Sequence, residues 1–270
     1  FSILTPNFFK QLIVENTSSD SKTLDTTDLF CEIAAIKKLL TTGECREIVL
    51  TGIHIGDYGA DFQRDSRGGT VNLTSLLEEI VKFRELKRLR ISSLEPSEVK
   101  ESMLQVLSRH PHLATDHFHL PLQSGSDRIL KLMGRGYTTA QYAESVELIR
   151  SYFPNCHISA DVIPGFPGES EEDFTDTVKF IEEVHINSLH VFPYSKRPNT
   201  RALKMPGHLE ASLISNRAAL LRKHSEKSLQ YFASTMLGKD NLVLWESVDK
   251  KTNRSVGKTT NYLKVLSERG

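Results

Sequence analysis

The sequence predicts an α/β protein built on a parallel sheet, and three observations carry that expectation. Five short apolar runs alternate with amphipathic helical stretches, and parallel neighbours need such crossovers. Glycine, proline and polar residues collect just after the apolar runs, where α/β folds place their functional loops. The 270 residues, 39% hydrophobic and 25% charged, supply a core for one large domain and a small appendage. The pattern alone leaves an open doubly wound sheet and a closed or partial barrel as alternatives.

Residues 1–28 begin with mixed apolar residues and pass into a Ser/Thr/Asp-rich stretch from Thr17 to Asp28. That composition favours turns, so the segment is expected to be irregular. Leu29, Ile33, Ile36, Leu39 and Leu40 then recur at helical spacing and stop at Gly43. Strands are expected at 47–51, 88–92, 118–122, 158–163 and 189–193, and helices at 73–83, 96–108, 126–133, 139–153 and 170–184. Thr138 with Gln141, and Ser170 with Asp173, stand at capping-box spacing. Phe174, Val178 and Ile181 form the apolar stripe of the last of these helices. A long helix, 209–236, closes at Gly238, and two strands, 242–246 and 262–266, follow across a polar turn. They read as the start of a small β module, with a simple C-terminal hairpin as the plain alternative. The expected domains are therefore 1–28, 29–237 and 238–270.

Each strand end carries an unusual segment. After the first comes a run from Thr51 and Gly52 to Gly59, whose three glycines let backbone approach a ligand closely. After the second come Ser92, Ser93 and Glu95, able to bind ribose or ammonium groups or simply to start the helix at Pro96. The third ends in Gln123-Ser124-Gly125, and Arg135 follows in a Gly-rich loop, placed to clamp a carboxylate or to sit on the surface. The fourth carries Asp161 and runs into Gly165-Phe166-Pro167-Gly168-Glu169, whose backbone N–H groups suit an adenine edge or a carboxylate. A tight proline-stiffened turn is the simpler reading of that loop. The fifth mixes aromatics with Lys196, Arg197 and Arg201, a combination suited to base stacking and phosphate neutralisation, or to a solvated basic loop.

Net charge is zero with histidine neutral, so a nucleic-acid partner has to meet a local basic patch. No apolar run approaches the roughly 18–20 residues of a membrane span. No signal peptide is visible, and the chain opens on Phe1, as a fragment would. Three cysteines, Cys31, Cys45 and Cys156, are too few and too far apart for a disulfide framework or a metal knuckle, so a reducing cytoplasm is expected.

In this order and spacing the five segments resemble the methylthiotransferase branch of the radical-SAM enzymes. The run from Leu50 to Gly59 is most similar to members that modify threonylcarbamoyladenosine in tRNA. The resemblance runs from about Leu29 to the C-terminus. It implies a partial (β/α) barrel of the radical-SAM type, with S-adenosylmethionine held at the mouth. Thr51, Gly52, Ser92, Ser93, Glu95, Gln123, Ser124, Gly125, Arg135, Asp161, Gly165, Phe166, Gly168 and Glu169 match places where the family lines its pocket. It also implies tRNA as a partner, for which the basic residues Lys196, Arg197 and Arg201 are the expected contact. The tail from Gly257 to Val265 resembles part of the family's TRAM β-barrel; folded against the main domain, it would let Lys250, Lys251, Arg254, Lys258 and Lys264 extend the patch.

The chain departs from the family in one chemically decisive way. Family members carry C-x-x-x-C-x-x-C after the first barrel strand, where three thiolates hold a [4Fe–4S] cluster and leave one iron for S-adenosylmethionine. Residues 1–28 contain no cysteine, and neither Cys31 nor Cys45 matches that motif. No metal ligands are therefore assigned, and catalysis by this chain is not expected. Three readings remain: a methylthiotransferase lacking its cluster loop, a non-catalytic barrel that binds tRNA or a nucleoside, and a barrel binding protein for a small anion.

Overall fold

The computed structural model describes residues 9–13, 27–41, 43, 45–52, 54–60 and 71–267. They divide into two compact units: one made of Phe1–Phe118, Ser151–Cys156 and Asp240–Gly270, the other of His119–Arg150 and His157–Lys239.

In the first unit, β1 (Phe9–Ile13), β2 (Glu47–Thr51) and β3 (Arg88–Ile91) form a parallel sheet in that order. Helices α1 (Thr27–Thr41), α2 (Leu73–Ile80) and α3 (Glu101–Ser108) belong to the same unit. Parallel strands are covered on both faces, and β2 and β3 are accordingly buried almost throughout. Helix α2 starts on Asn72, whose side chain caps Ser75, and buries Leu73, Leu76, Leu77 and Ile80.

The expectation of an irregular segment over 1–28 is corrected at residues 9–13, which pair with β2 from Phe9↔Glu47 to Ile13↔Thr51. Five residues without clean alternation give little local signal, and the strand exists because β2 offers a partner edge. Residues 1–8 and 14–26 lie outside the described residues. The expected helix at 96–108 is two pieces, a 3-10 turn Pro96–Glu98 and then α3.

The second sheet is parallel at β5–β6 and ordered β4 (His117–His119), β5 (His157–Val162), β6 (Ser188–Val191). Helices α4 (Asp127–Met133), α5 (Thr139–Tyr152), α6 (Glu171–Glu183) and α7 (Ala211–Thr235) follow in chain order. Both expected capping boxes form: Thr138 Oγ1 accepts from the Gln141 amide at 3.3 Å, and Ser170 Oγ from that of Asp173 at 3.2 Å. Strand β4 is three residues rather than the expected five, because Leu120, Leu122 and Gln123 bond β5 carbonyls only as a loop that turns at Gln123, where φ is +67°.

The C-terminal module has three antiparallel strands, β7 (Val243–Asp249), β8 (Arg254–Thr259) and β9 (Lys264–Ser267). The middle strand reads as a polar turn in sequence, because Arg254, Ser255, Gly257 and Lys258 outnumber its one large apolar residue, Val256. Buried charge helps to fasten the module within its unit. Arg88 donates to the carbonyls of Lys258 and Leu242, and Arg90 lies 4.0 Å from the centre of the Tyr262 ring. Glu47, 1% exposed, faces both guanidinium groups, at 2.7 Å from Arg90 and 3.8 Å from Arg88.

Candidate functional site

Alternation along β5 divides its side chains between two faces. Ile158, Ala160 and Val162 are buried on one face; His157, Ser159 and Asp161 occupy the other. The same polar face continues onto β4 through His119 and onto β6 through Ser188 and His190, with Asp161↔His190 and Ser159↔Ser188 in register. A parallel sheet ordinarily buries apolar residues on both faces, so a face paved with histidine, serine and aspartate is specialised.

These groups are bonded to one another. His119 Nδ1 lies 2.9 Å from the Ser159 hydroxyl, and its Nε2 lies 3.2 Å from Asp161 Oδ1. A carboxylate only accepts, so Nε2 carries the proton, and in the neutral ring Nδ1 accepts from Ser159. The His190 ring sits 5.3 Å from that of His119, and His157 Nε2 is 2.8 Å from the Ser188 hydroxyl. Asp161 is thus met through Oδ1 and stays a quarter exposed, and among the described residues no hydrogen bond reaches its other oxygen. Sequence reading found Asp161 and missed His119 and His190; strict polar–apolar alternation over 157–162 was the signal that pointed to that face.

Other expected pocket residues in this unit have structural partners of their own. Ser124 is buried against the Thr177 hydroxyl at 3.2 Å, and Gly125 N–H donates to the same hydroxyl at 3.0 Å. A Cβ on Gly125 would sit 2.6 Å from Thr177 Cα, so the glycine is there for close packing on α6. Gly165 N–H donates to Glu169 and Gly168 N–H to the Gly207 carbonyl, which takes two of the expected ligand-facing amides for the turn itself. Glu169 is 5% exposed and paired with Arg217 at 2.6 Å. Burial pushes its carboxyl pKa up, against the Gly165 amide and Arg217, which pull it down. Phe166 packs edge-on to Tyr194, and Gln123 is buried. Arg135 is half-buried just past the left-handed Gly134 that ends α4.

In the first unit, Thr51 and Gly52 end β2 half-buried, and Ser92, Ser93 and Glu95 follow β3 half-buried. Ser92 N–H continues the ladder to the Leu50 carbonyl at 2.8 Å, while its hydroxyl is buried without a hydrogen-bond partner. Glu95 leads into the 3-10 turn through its backbone.

Lys196, Arg197 and Arg201 are all exposed, beside Phe192 at 52% exposure. Tyr194 is tucked between Phe166 and His208 instead. In the β7–β9 module Lys250, Lys251, Arg254 and Lys264 are exposed, as is Trp245. Lys258 is committed internally, bonding the Tyr262 hydroxyl at 2.8 Å and lying 3.8 Å from Glu246.

The cysteines do not fit a three-thiolate cluster. Cys45 is 2% exposed with its thiol directed at the Glu47 carbonyl, and Cys156 is 4% exposed. Cys31 falls within α1, its side chain outside the described residues, and the sequence joining β1 to α1 has no cysteine. Among the described residues no helix is long and apolar enough to cross a membrane.

Comparison with known proteins agrees with this architecture. The family model of the Radical SAM superfamily matches residues 32–181. The threonylcarbamoyladenosine tRNA methylthiotransferase MtaB of Bacillus subtilis is 38% identical over 82% of this chain and 48% of its own length. Its namesake in Aquifex aeolicus is 40% identical over 86% of the chain and 53% of its length. The chain thus spans about half the length of these relatives. Among solved structures, coproporphyrinogen III oxidase (HemN) of Escherichia coli, a radical SAM enzyme, overlays with a TM-score of 0.50 at 14% identity, covering 73% of this chain and 46% of its own.

Proposed function

Because the chain belongs to the radical SAM superfamily, in its methylthiotransferase family, we propose that it is a tRNA methylthiotransferase-like scaffold that binds S-adenosylmethionine and tRNA. The family implies S-adenosylmethionine and a [4Fe–4S] cluster, which together generate the radical of the family reaction, methylthiolation of threonylcarbamoyladenosine. The cysteines present do not suit that cluster, so the role assigned to this chain's own residues is binding. The division into 29–237 and 238–270 belongs to the same proposal, the second part being a TRAM-like module.

The observation that carries this reading is the polar face of the β4–β6 sheet. Asp161 offers a carboxylate oxygen to a hydroxyl or ammonium donor, and His119 fixes its orientation. S-Adenosylmethionine presents both kinds of donor, on its ribose and its amino-acid end. The exposed cations Lys196, Arg197 and Arg201, with Phe192 beside them, suit a phosphate backbone and a base.

Calorimetric titration of the chain with S-adenosylmethionine tests the reading. Weak binding is expected, reduced at least tenfold by Asp161→Asn, whose amide replaces one acceptor oxygen by a donor. Equal binding by the variant removes this face from the site. A tRNA gel shift at two salt concentrations tests the second partner. Each phosphate contact contributes a slope of roughly one log unit of affinity per log unit of salt. The Arg197→Ala, Arg201→Ala double variant should bind more weakly with a shallower slope. No tRNA binding at low salt would refute the partner.

A further inference from the structure

The structure points to a divalent-cation site that the proposed function does not use, and we propose that His54, Asp57 and Glu98 are its ligands. One donor atom from each of the three lies within 4.8 Å of the others. They come from the loops that follow β2 and β3, two adjacent parallel strands of one sheet, where this class of fold gathers its chemistry.

The site is built around Glu98. Although it carries a carboxylate, the residue is only 8% exposed. Its Oε2 accepts from the Glu95 amide at 2.9 Å, which fixes the plane of the group. Its Oε1 accepts no hydrogen bond among the described residues and points at His54, 3.5 Å from Nδ1. At that distance the two form an ion pair when the imidazole is protonated, and one oxygen of a buried carboxylate is held in place facing a nitrogen ligand.

Gly56 makes this placement possible. A Cβ there would lie 2.3 Å from Glu98 Cβ, 2.4 Å from Cγ and 2.8 Å from Cδ. Only glycine lets the Glu98 side chain lie against the turn Ile55–Asp57, between the residues that carry the imidazole and the second carboxylate. Glu98 and Asp57 thus bring two carboxyl groups to one place, with the His54 imidazole beside them.

One imidazole nitrogen and two carboxylate oxygens suit a borderline or hard first-row ion, Zn²⁺ or Mn²⁺, and leave further positions for water or an anionic ligand. The competing arrangement is a simple ion pair between a protonated His54 and Glu98. Manganese separates the two.

The chain is titrated with Mn²⁺ alone, and free ion is read from its six-line electron paramagnetic resonance signal. The proposal expects one bound equivalent in the wild type. His54→Ala and Asp57→Asn each remove a ligand group at an exposed position and should weaken binding at least tenfold, as should Glu98→Gln, which keeps an oxygen for the Glu95 amide. Thermal melts of all four proteins check the fold, and the two exposed-site variants keep the test decisive if Glu98→Gln unfolds. Displacement of Mn²⁺ by Zn²⁺ should restore the free signal. A wild type that leaves the signal undiminished, or binding that survives unchanged in His54→Ala and Asp57→Asn, overturns the site.

Discussion

Replacing Arg217 with methionine isolates the ion pair that fastens α7 to the turn before α6. Arg217 is 3% exposed, with Nη1 2.6 Å from Glu169 and Nη2 2.8 Å from Glu171. The Glu171 side chain is 77% exposed, so that half of the pair contributes little. Glu169 is buried, and stripping a buried carboxylate of its partner costs about 3–5 kcal/mol. The Arg217 Nε is itself buried without a partner, and removing it returns about 1 kcal/mol. Methionine gives up the guanidinium contact with the Phe174 ring, 5.0 Å from its carbon, but leaves an apolar thioether in its place. The expected net loss is therefore roughly 2–4 kcal/mol at pH 8.

The loss should shrink in acid. Burial already raises the Glu169 pKa in the folded chain, and without Arg217 it rises further. A raised folded value means the native state keeps its proton where the unfolded chain has lost it. The associated stability is fully present below the unfolded value, about 4.3, and disappears as pH rises through the folded one. The penalty of the substitution should thus fall by up to about 1.4 kcal/mol per pH unit as pH drops from the variant's folded value to that of the wild type. Urea unfolding of both proteins at pH 8 and pH 5 measures it. A difference below about 1 kcal/mol at pH 8, or the same difference at both pH values, refutes the argument.

Asp173 behaves in the opposite sense. Burial would raise its pKa, but bonds from Arg128, Ser170 and Ser126 outweigh burial and hold it far below the usual carboxylate range. Its contribution is present above the unfolded value, near 3.9, and is lost as pH falls through the lower folded one. Asp173→Asn should therefore lower stability at neutral pH and flatten the acid limb below about pH 4, read by thermal melts across pH; a parallel acid limb contradicts the assignment. Gly125→Ala should destabilise by roughly 1–3 kcal/mol, since its Cβ meets Thr177 Cα, a backbone atom that cannot swing away. A urea midpoint unchanged from wild type would show that the turn has room.

The parallel β/α order was legible because each strand from β2 to β6 carries its own apolar residues and each helix its own period. Two elements were hidden for separate reasons. Strand β1 depends on backbone pairing with Glu47–Thr51, which no local pattern announces. Strand β8 is held between β7 and β9 and fastened by Arg88 and Arg90, residues far away in sequence. Capping boxes, by contrast, act over three residues, and both were readable.

The candidate site divides along the same line between local and distant causes. A glycine or carboxylate at a strand end looks alike in sequence whether it faces ligand or packs inward. Glu169 and Asp161 both follow or end β5, yet Arg217, 48 positions later, takes one, while His119 leaves the other half free. The deciding partners come from other elements, so the strand-end motif identifies the neighbourhood and not the role. Period-two alternation is a better guide to role, because it is a property of one strand. Over 157–162 it sets three polar residues against three buried apolar ones. A sheet face that gives up that much apolar burial, on the order of 1.5–3 kcal/mol for each large side chain, needs compensation. Internal hydrogen bonds provide part of it at His119 and His157, and under the proposed binding role a ligand on Asp161 provides more.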